Sequence, residues 1–222
     1  MMHKPESPNN KKKLYKYAFL LTYITIFYNI IEGTVSVAFG LEDETLSLLG
    51  FGIDSFVEVI SGIGILHMLI RIKNNSGETR DSFEKTALKI TGTAFYLLTA
   101  GLVVTAVYNI IIAHKPETTF WGIVISIISI LTMILLIKYK LKVGHSLNSK
   151  AIIADANCTK TCLYLSVVLL ISSVGYEITG IGGIDSIGAA GIAWFAFKEG
   201  KESFEKSTSG NLCGCSDDQC VN

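Results

Sequence analysis

Residues 45–71 read TLSLLGFGIDSFVEVISGIGILHMLIR, an almost uncharged run with two acids, Asp54 and Glu58, set into it. About 20 apolar residues carry a helix across a bilayer, and this run has the length. Each ionised side chain at the centre of such a helix costs about 2.5–3.5 kcal/mol. The two carboxylates must therefore be paired, protonated, in contact with water or bound to a cation. They stand at i and i+4, on one helix face, with oxygens able to converge on one point.

Five further segments share the apolar character, at 14–39, 84–113, 118–138, 149–175 and 179–198. The composition agrees: the 222 residues are 50% hydrophobic and 17% charged, with a mean hydropathy of +0.46, whereas soluble domains carry about 25% charged residues. The expected fold is an all-α membrane protein of six transmembrane helices. A polar arm at 1–13 precedes the six-helix domain at 14–198, and a cysteine-containing tail follows at 199–222. Lys11, Lys12 and Lys13 lead into the first apolar run without a small-residue cleavage site, so that run is expected to stay as the first helix. The formal net charge is zero, and no nucleic-acid partner is expected. Five cysteines, an odd number, in a chain with a cytoplasmic tail do not suggest a disulfide framework.

Orientation follows from lysine and arginine, which collect in cytoplasmic loops. Lys4, Lys11, Lys12, Lys13 and Lys16 lie in or beside the N-terminal arm, and Arg71, Lys73, Arg80, Lys85 and Lys89 around the second connection. Lys138, Lys140, Lys142 and Lys150 lie around the fourth, and Lys198, Lys201 and Lys206 after the last helix. The alternate loops carry only Lys115, and the first is acidic with Glu42, Asp43 and Glu44. Both termini are thus expected in the cytoplasm.

The apolar segments enclose Glu32, Asp54, Glu58, Asp155, Lys160 and Asp185. Together these amount to on the order of 15 kcal/mol of insertion cost, more than a typical net folding stability. Asp155, Cys158 and Cys162 stand at i, i+3 and i+7, on one face of the fifth helix. Helices two and five run in opposite directions, and Glu58 and the Cys158–Cys162 pair both count to about the bilayer midplane. Two oxygens and two sulfurs, from Asp54, Glu58, Cys158 and Cys162, can therefore meet one ion at one depth. Such a set suits tetrahedral zinc, with cadmium as a softer analogue, and disfavours magnesium and calcium, which prefer oxygen alone. The plainer alternative makes the cysteines small packing residues and the carboxylates ion-pair partners of Lys160. Lys160 points off the cysteine face, towards a carboxylate such as Asp185 or Glu32. Glu32 lies near the depth of Asp54, as an exit-side ligand, a proton carrier or an ion-pair partner. In the tail, Cys213, Cys215 and Cys220 with Asp217 and Asp218 form either a soft-metal capture segment or a solvated tail with incidental thiols. His3 and His67 lie near the cytoplasmic face and receive no role.

The stretch Gly52-Ile53-Asp54-Ser55-Phe56-Val57-Glu58 resembles the second transmembrane helix of the cation diffusion facilitator (cation efflux) family. Lys150 to Cys162, with Ala154-Asp155, Cys158 and Cys162, is similar to that family's fifth helix, and Gly183-Ile184-Asp185-Ser186-Ile187 to the start of its sixth. The resemblance implies a cation-efflux-type bundle in which Asp54, Glu58, Cys158 and Cys162 occupy the four transport-site positions. It implies a place beside the ligands for Asp155. Glu32 and Asp185, from their positions in the apolar segments, are further candidates for that role or for a proton pathway. Two departures stand out. Cysteines replace the usual His or Asp and Asp of the fifth helix, which points to softer ions. After the sixth helix, no counterpart of the family's cytoplasmic metal-binding domain is expected in residues 199–222.

The expected protein is therefore a multi-pass transporter, in the cytoplasmic (plasma) membrane, that exports a divalent metal by alternating access. Metal/proton antiport and a homodimer are what the resemblance implies. The alternative is a membrane metal sensor or chaperone that binds without transport. No resident cofactor is expected. Nor is an enzyme: no histidine joins the cysteines as a base, and no phosphate-binding loop is present.

Overall fold

A computed structural model describes residues 8–73, 82–147 and 149–209. These form six helices: α1 (Pro8–Glu42), α2 (Leu46–Lys73), α3 (Ser82–Ile111), α4 (Phe120–Leu147), α5 (Lys150–Thr179) and α6 (Gly183–Ser209). No strand occurs among the described residues. His3, Cys213, Cys215 and Cys220 lie outside them, as does much of the arm at 1–13.

All six apolar segments are helical, and each helix outruns its segment at one end or both. Hydropathy marks only the length that touches hydrocarbon, whereas backbone hydrogen bonding continues into the polar interface. The largest correction is α6. Residues 199–209, assigned to the tail from composition, continue this helix to Ser209, and Phe204 stacks on Tyr96 of α3 at 5.5 Å between ring centroids. Five helices, α1 to α5, are long and apolar enough to cross a membrane. Helix α6 is less apolar, yet it runs beside α3 through the same depth: Thr99 Oγ1 lies 3.3 Å from Ala193 O, and Gly92 faces Phe204 and Gly200.

The bundle is apolar outside. Leu97, Val104 and Ile111, one heptad apart on α3, are 71%, 70% and 76% exposed, an apolar face suited to lipid or to another subunit. Polar side chains turn inward instead: Ser129 Oγ and Ser166 Oγ meet at 2.8 Å between α4 and α5. Helices α1 and α2 approach through Gly33, Gly40 and Gly52. A Cβ on Gly40 would stand 2.6 Å from the Leu49 backbone nitrogen, so only glycine permits this approach. At the far end of α5, Gly180 takes φ 66° and its N–H closes onto Tyr176 O at 2.7 Å, ending the helix before α6 turns back.

"Inner" here denotes the bundle end that holds both described termini, the end that the basic residues assign to the cytoplasm. The outer half is filled by a continuous apolar core that includes Phe51, Leu102, Leu165, Leu169 and Ile192. The inner half holds a smaller apolar cluster of Ala18, Leu69, Val143 and Ile152 beside a polar group that includes Glu58, Asp155, Cys158 and Glu199.

Candidate metal site between helices two and five

Glu58 of α2 and Cys162 of α5 touch through Oε1 and Sγ. The other carboxylate oxygen of Glu58 accepts a hydrogen bond from Asn29 Nδ2 of α1 at 2.9 Å. Helices α2 and α5 are antiparallel, so each next turn along them diverges in depth. Asp54 lies one turn outward of Glu58, 2% exposed, with its Oδ1 lacking a hydrogen-bond partner among the described residues. Cys158 lies one turn inward of Cys162, and its Sγ accepts from Lys206 Nζ of α6 at 3.9 Å.

The four expected ligands are thus brought to one helix interface but not to one point. Glu58 and Cys162 are in contact, and Asp54 and Cys158 flank them on opposite sides. Among the described residues no three His, Cys, Asp or Glu side chains converge closely enough to hold a metal. A small rotation or sliding of α5 against α2 is what a four-donor arrangement requires.

A cavity of about 70 Å³ reaches this pair from the inner half. Asn29, Glu58, Asp155, Cys158, Cys162 and Glu199 line it. Its size suits a partly hydrated ion rather than an organic solute. Asp54 is not among its lining residues; it lies on the sealed, outer side.

Of the three residues expected beside the ligands or on a proton path, each has a definite setting. Asp155 pairs with Lys140 of α4, Nζ to Oδ1 at 2.9 Å, and the same ammonium donates to Thr159 Oγ1 at 2.9 Å. Glu32 accepts from Tyr28 at 2.8 Å and Ser55 at 3.2 Å, one turn outward of Asn29. Asp185 sits at the outer end, where it accepts from the backbone N–H groups of Leu46 at 2.8 Å and Ser47 at 3.1 Å and from the Ser47 hydroxyl. It caps α2 from another helix, satisfying donors that a helix start leaves unpaired. Asp185→Ala is expected to lower stability by about 0.5–2 kcal/mol, read as a fall in the thermal unfolding midpoint in detergent. An unchanged midpoint would remove the cap from the account.

These settings correct the ion pairs expected for Lys160. Both carboxylates proposed for it are taken by other groups, because Asp185 lies at the outer end and Glu32 turns towards α2. The buried cations among the described residues include Lys140 and Lys206, both read from the sequence as loop or tail lysines; Lys140 is the deeper. Its side chain is 1% exposed, because α4 continues to Leu147 and carries the residue on its inward face. The sequence reading also passed over Asn29, Glu199 and Lys206. An asparagine inside an apolar run, on the same face as Glu32 at i+3, was the available signal for the first.

The outer mouth is acidic. The Glu117 N–H donates to Asp43 O at 3.0 Å, and Glu177 Oε1 accepts from Thr119 N at 2.6 Å. Burial, together with the nearby carboxylates of Glu42, Glu117 and Glu177, pushes the Asp43 carboxyl up from its ordinary value.

Six helices with an apolar outer surface, five of them long and apolar enough to cross a membrane, define a multi-pass integral membrane protein with a carboxylate–thiol contact at the end of an internal cavity. Residues 18–210 match the cation efflux transmembrane domain, and the chain belongs to that family. An uncharacterized transporter of Methanocaldococcus jannaschii is 30% identical over 154 residues, 67% of this chain and 54% of its own. Transmembrane protein 163 of Xenopus laevis is 29% identical over 150 residues, 68% of this chain and 51% of its own. The chain therefore spans about half the length of these curated relatives.

Proposed function

We propose that this protein is a secondary transporter that exports a soft divalent metal ion, zinc foremost and cadmium as its analogue, in exchange for protons. The observation that carries the reading is the Glu58–Cys162 contact between α2 and α5 at the closed end of the inner cavity. Carboxylate and thiol together favour zinc over magnesium or calcium. Cation efflux family membership supports transport rather than storage.

In this mechanism the ion enters from the inner side, meets Cys158 and reaches Glu58 and Cys162. Movement of α5 against α2 then closes the cavity below it, adds Asp54 and opens the outer half. Thiols must lose their protons to bind metal. Protons returning to the vacated donors on the outer side complete the exchange. The acidic mouth at Glu42, Asp43, Glu44, Glu117 and Glu177 draws the released cation away. Assembly as a homodimer in the plasma membrane is part of the same proposal.

The test is metal flux in proteoliposomes under an imposed pH gradient, across zinc, cadmium, manganese, iron and cobalt. Zinc and cadmium are expected to move fastest, with proton movement in the opposite direction. Tight zinc binding without flux would replace this reading with that of a membrane metal sensor.

A further inference from the structure

The inner end of α6 turns Glu199, Ser203 and Lys206 towards α5 and into the cavity. Their spacing, i, i+4 and i+7, is one helix face. Glu199 accepts from Thr161 Oγ1 at 2.8 Å. Lys206 Nζ lies 2.7 Å from Glu202 Oε1 and donates to Cys158 Sγ at 3.9 Å. A lysine close to a helix end normally runs its ammonium out to water or headgroups. Lys206 stands three residues before the end of α6, yet its side chain is 8% exposed and reaches inward, to a proposed metal ligand.

We infer that Lys206 is a tethered cation for the metal-free carrier: its ammonium, ion-paired with Glu202, stands beside Cys158 when the metal is gone and gives up the sulfur contact as a divalent ion arrives. The inference rests on the transporter reading above. Two positive charges cannot share one sulfur, since a few ångströms in a low-dielectric interior make their repulsion large. The ion must therefore displace the ammonium, and departure of the ion readmits it. The benefit falls on the empty carrier. A site built from Asp54, Glu58, Cys158 and Cys162, with Glu199 on the same cavity wall, would otherwise reverse its orientation with the returning protons as the one positive charge on its donors. Lys140 does not serve, because it is held by Asp155 and Thr159. Glu202, four residues before Lys206, already holds the ammonium at 2.7 Å and keeps it paired once the sulfur contact is lost.

The test separates two transport modes of the full chain in proteoliposomes. Exchange of radiolabelled zinc against internal zinc needs only metal-loaded carriers, whereas net uptake into zinc-free vesicles requires the empty carrier to return. For Lys206→Gln, net uptake is expected to fall about tenfold or more while exchange changes by less than about twofold. Lys206→Arg, which keeps the charge, is expected to retain most of the net uptake. Lys206→Met repeats the comparison should the Gln variant not assemble. An equal fall in both modes, or no change in either, overturns the inference. A wild-type chain that moves zinc in neither mode overturns the transporter reading instead, and this inference with it.

Discussion

Replacing Cys158 and Cys162 together with Ser is expected to lower zinc flux by at least about 100-fold, because loss of even an outer partner of a metal ligand costs 10–100-fold. The change removes one sulfur atom from each side chain and keeps a small polar group at each site. Cys162 touches Glu58 at the cavity end, so Cys162→Ser alone is expected to cost more than Cys158→Ser. What flux remains should shift towards harder ions, since oxygen donors replace thiolates. A structural collapse of the bundle would look similar in flux alone, so the informative companion is Cys158→His with Cys162→Asp. That pair restores the residue types the family resemblance places at these positions, and recovered flux with a harder ion preference identifies the positions as ligands. Undiminished zinc flux in the double Ser variant would falsify the metal assignment of both cysteines.

Lys140→Met is expected to destabilise the protein by about 3–5 kcal/mol, because removing one partner of a buried ion pair leaves the other charge uncompensated. Lys140 and Asp155 are 1% and 9% exposed at the side chain, so the orphaned carboxylate meets only the small cavity it lines rather than bulk water. The pair also joins α4 to the turn of α5 that precedes Cys158, and Thr159 takes a second bond from the same ammonium. Its removal is therefore expected to loosen the rotation of α5 that aims Cys162 at Glu58 of α2, with a loss of zinc affinity beside the loss of stability. Adding Asp155→Leu should recover most of the stability, since an apolar pair of similar volume is often neutral, without recovering full affinity. Equilibrium unfolding in detergent and zinc titration read the two effects separately. A double variant as unstable as Lys140→Met alone would show that the cost is packing rather than charge.

The amino-acid sequence by itself determined the membrane class, the helices and the two faces that meet. In lipid a long apolar run has one use, and an acid within it stands out against its surroundings, so Asp54, Glu58, Cys158 and Cys162 could be read along a single dimension. The spacing of i, i+4 and i, i+3, i+7 fixes a helix face without knowledge of the partner. Helix ends were less legible: α6 continues through 199–209 because backbone bonding and the Phe204 contact with Tyr96 outlast hydropathy.

Only the tertiary structure decided which polar group meets which. Helix rotation and depth are set by close approaches such as Gly40 on Leu49 and by small residues between α4 and α5, contacts that no periodicity records. They bring Asn29 to Glu58, turn Lys140 and Lys206 inward, and carry Asp185 to the start of α2. They also leave Asp54 on the sealed side of Glu58 while Cys158 faces the cavity. A sequence states that a charge in a membrane needs a partner; the packing of helices chooses it, because a hydrogen bond requires its atoms within about 3 Å.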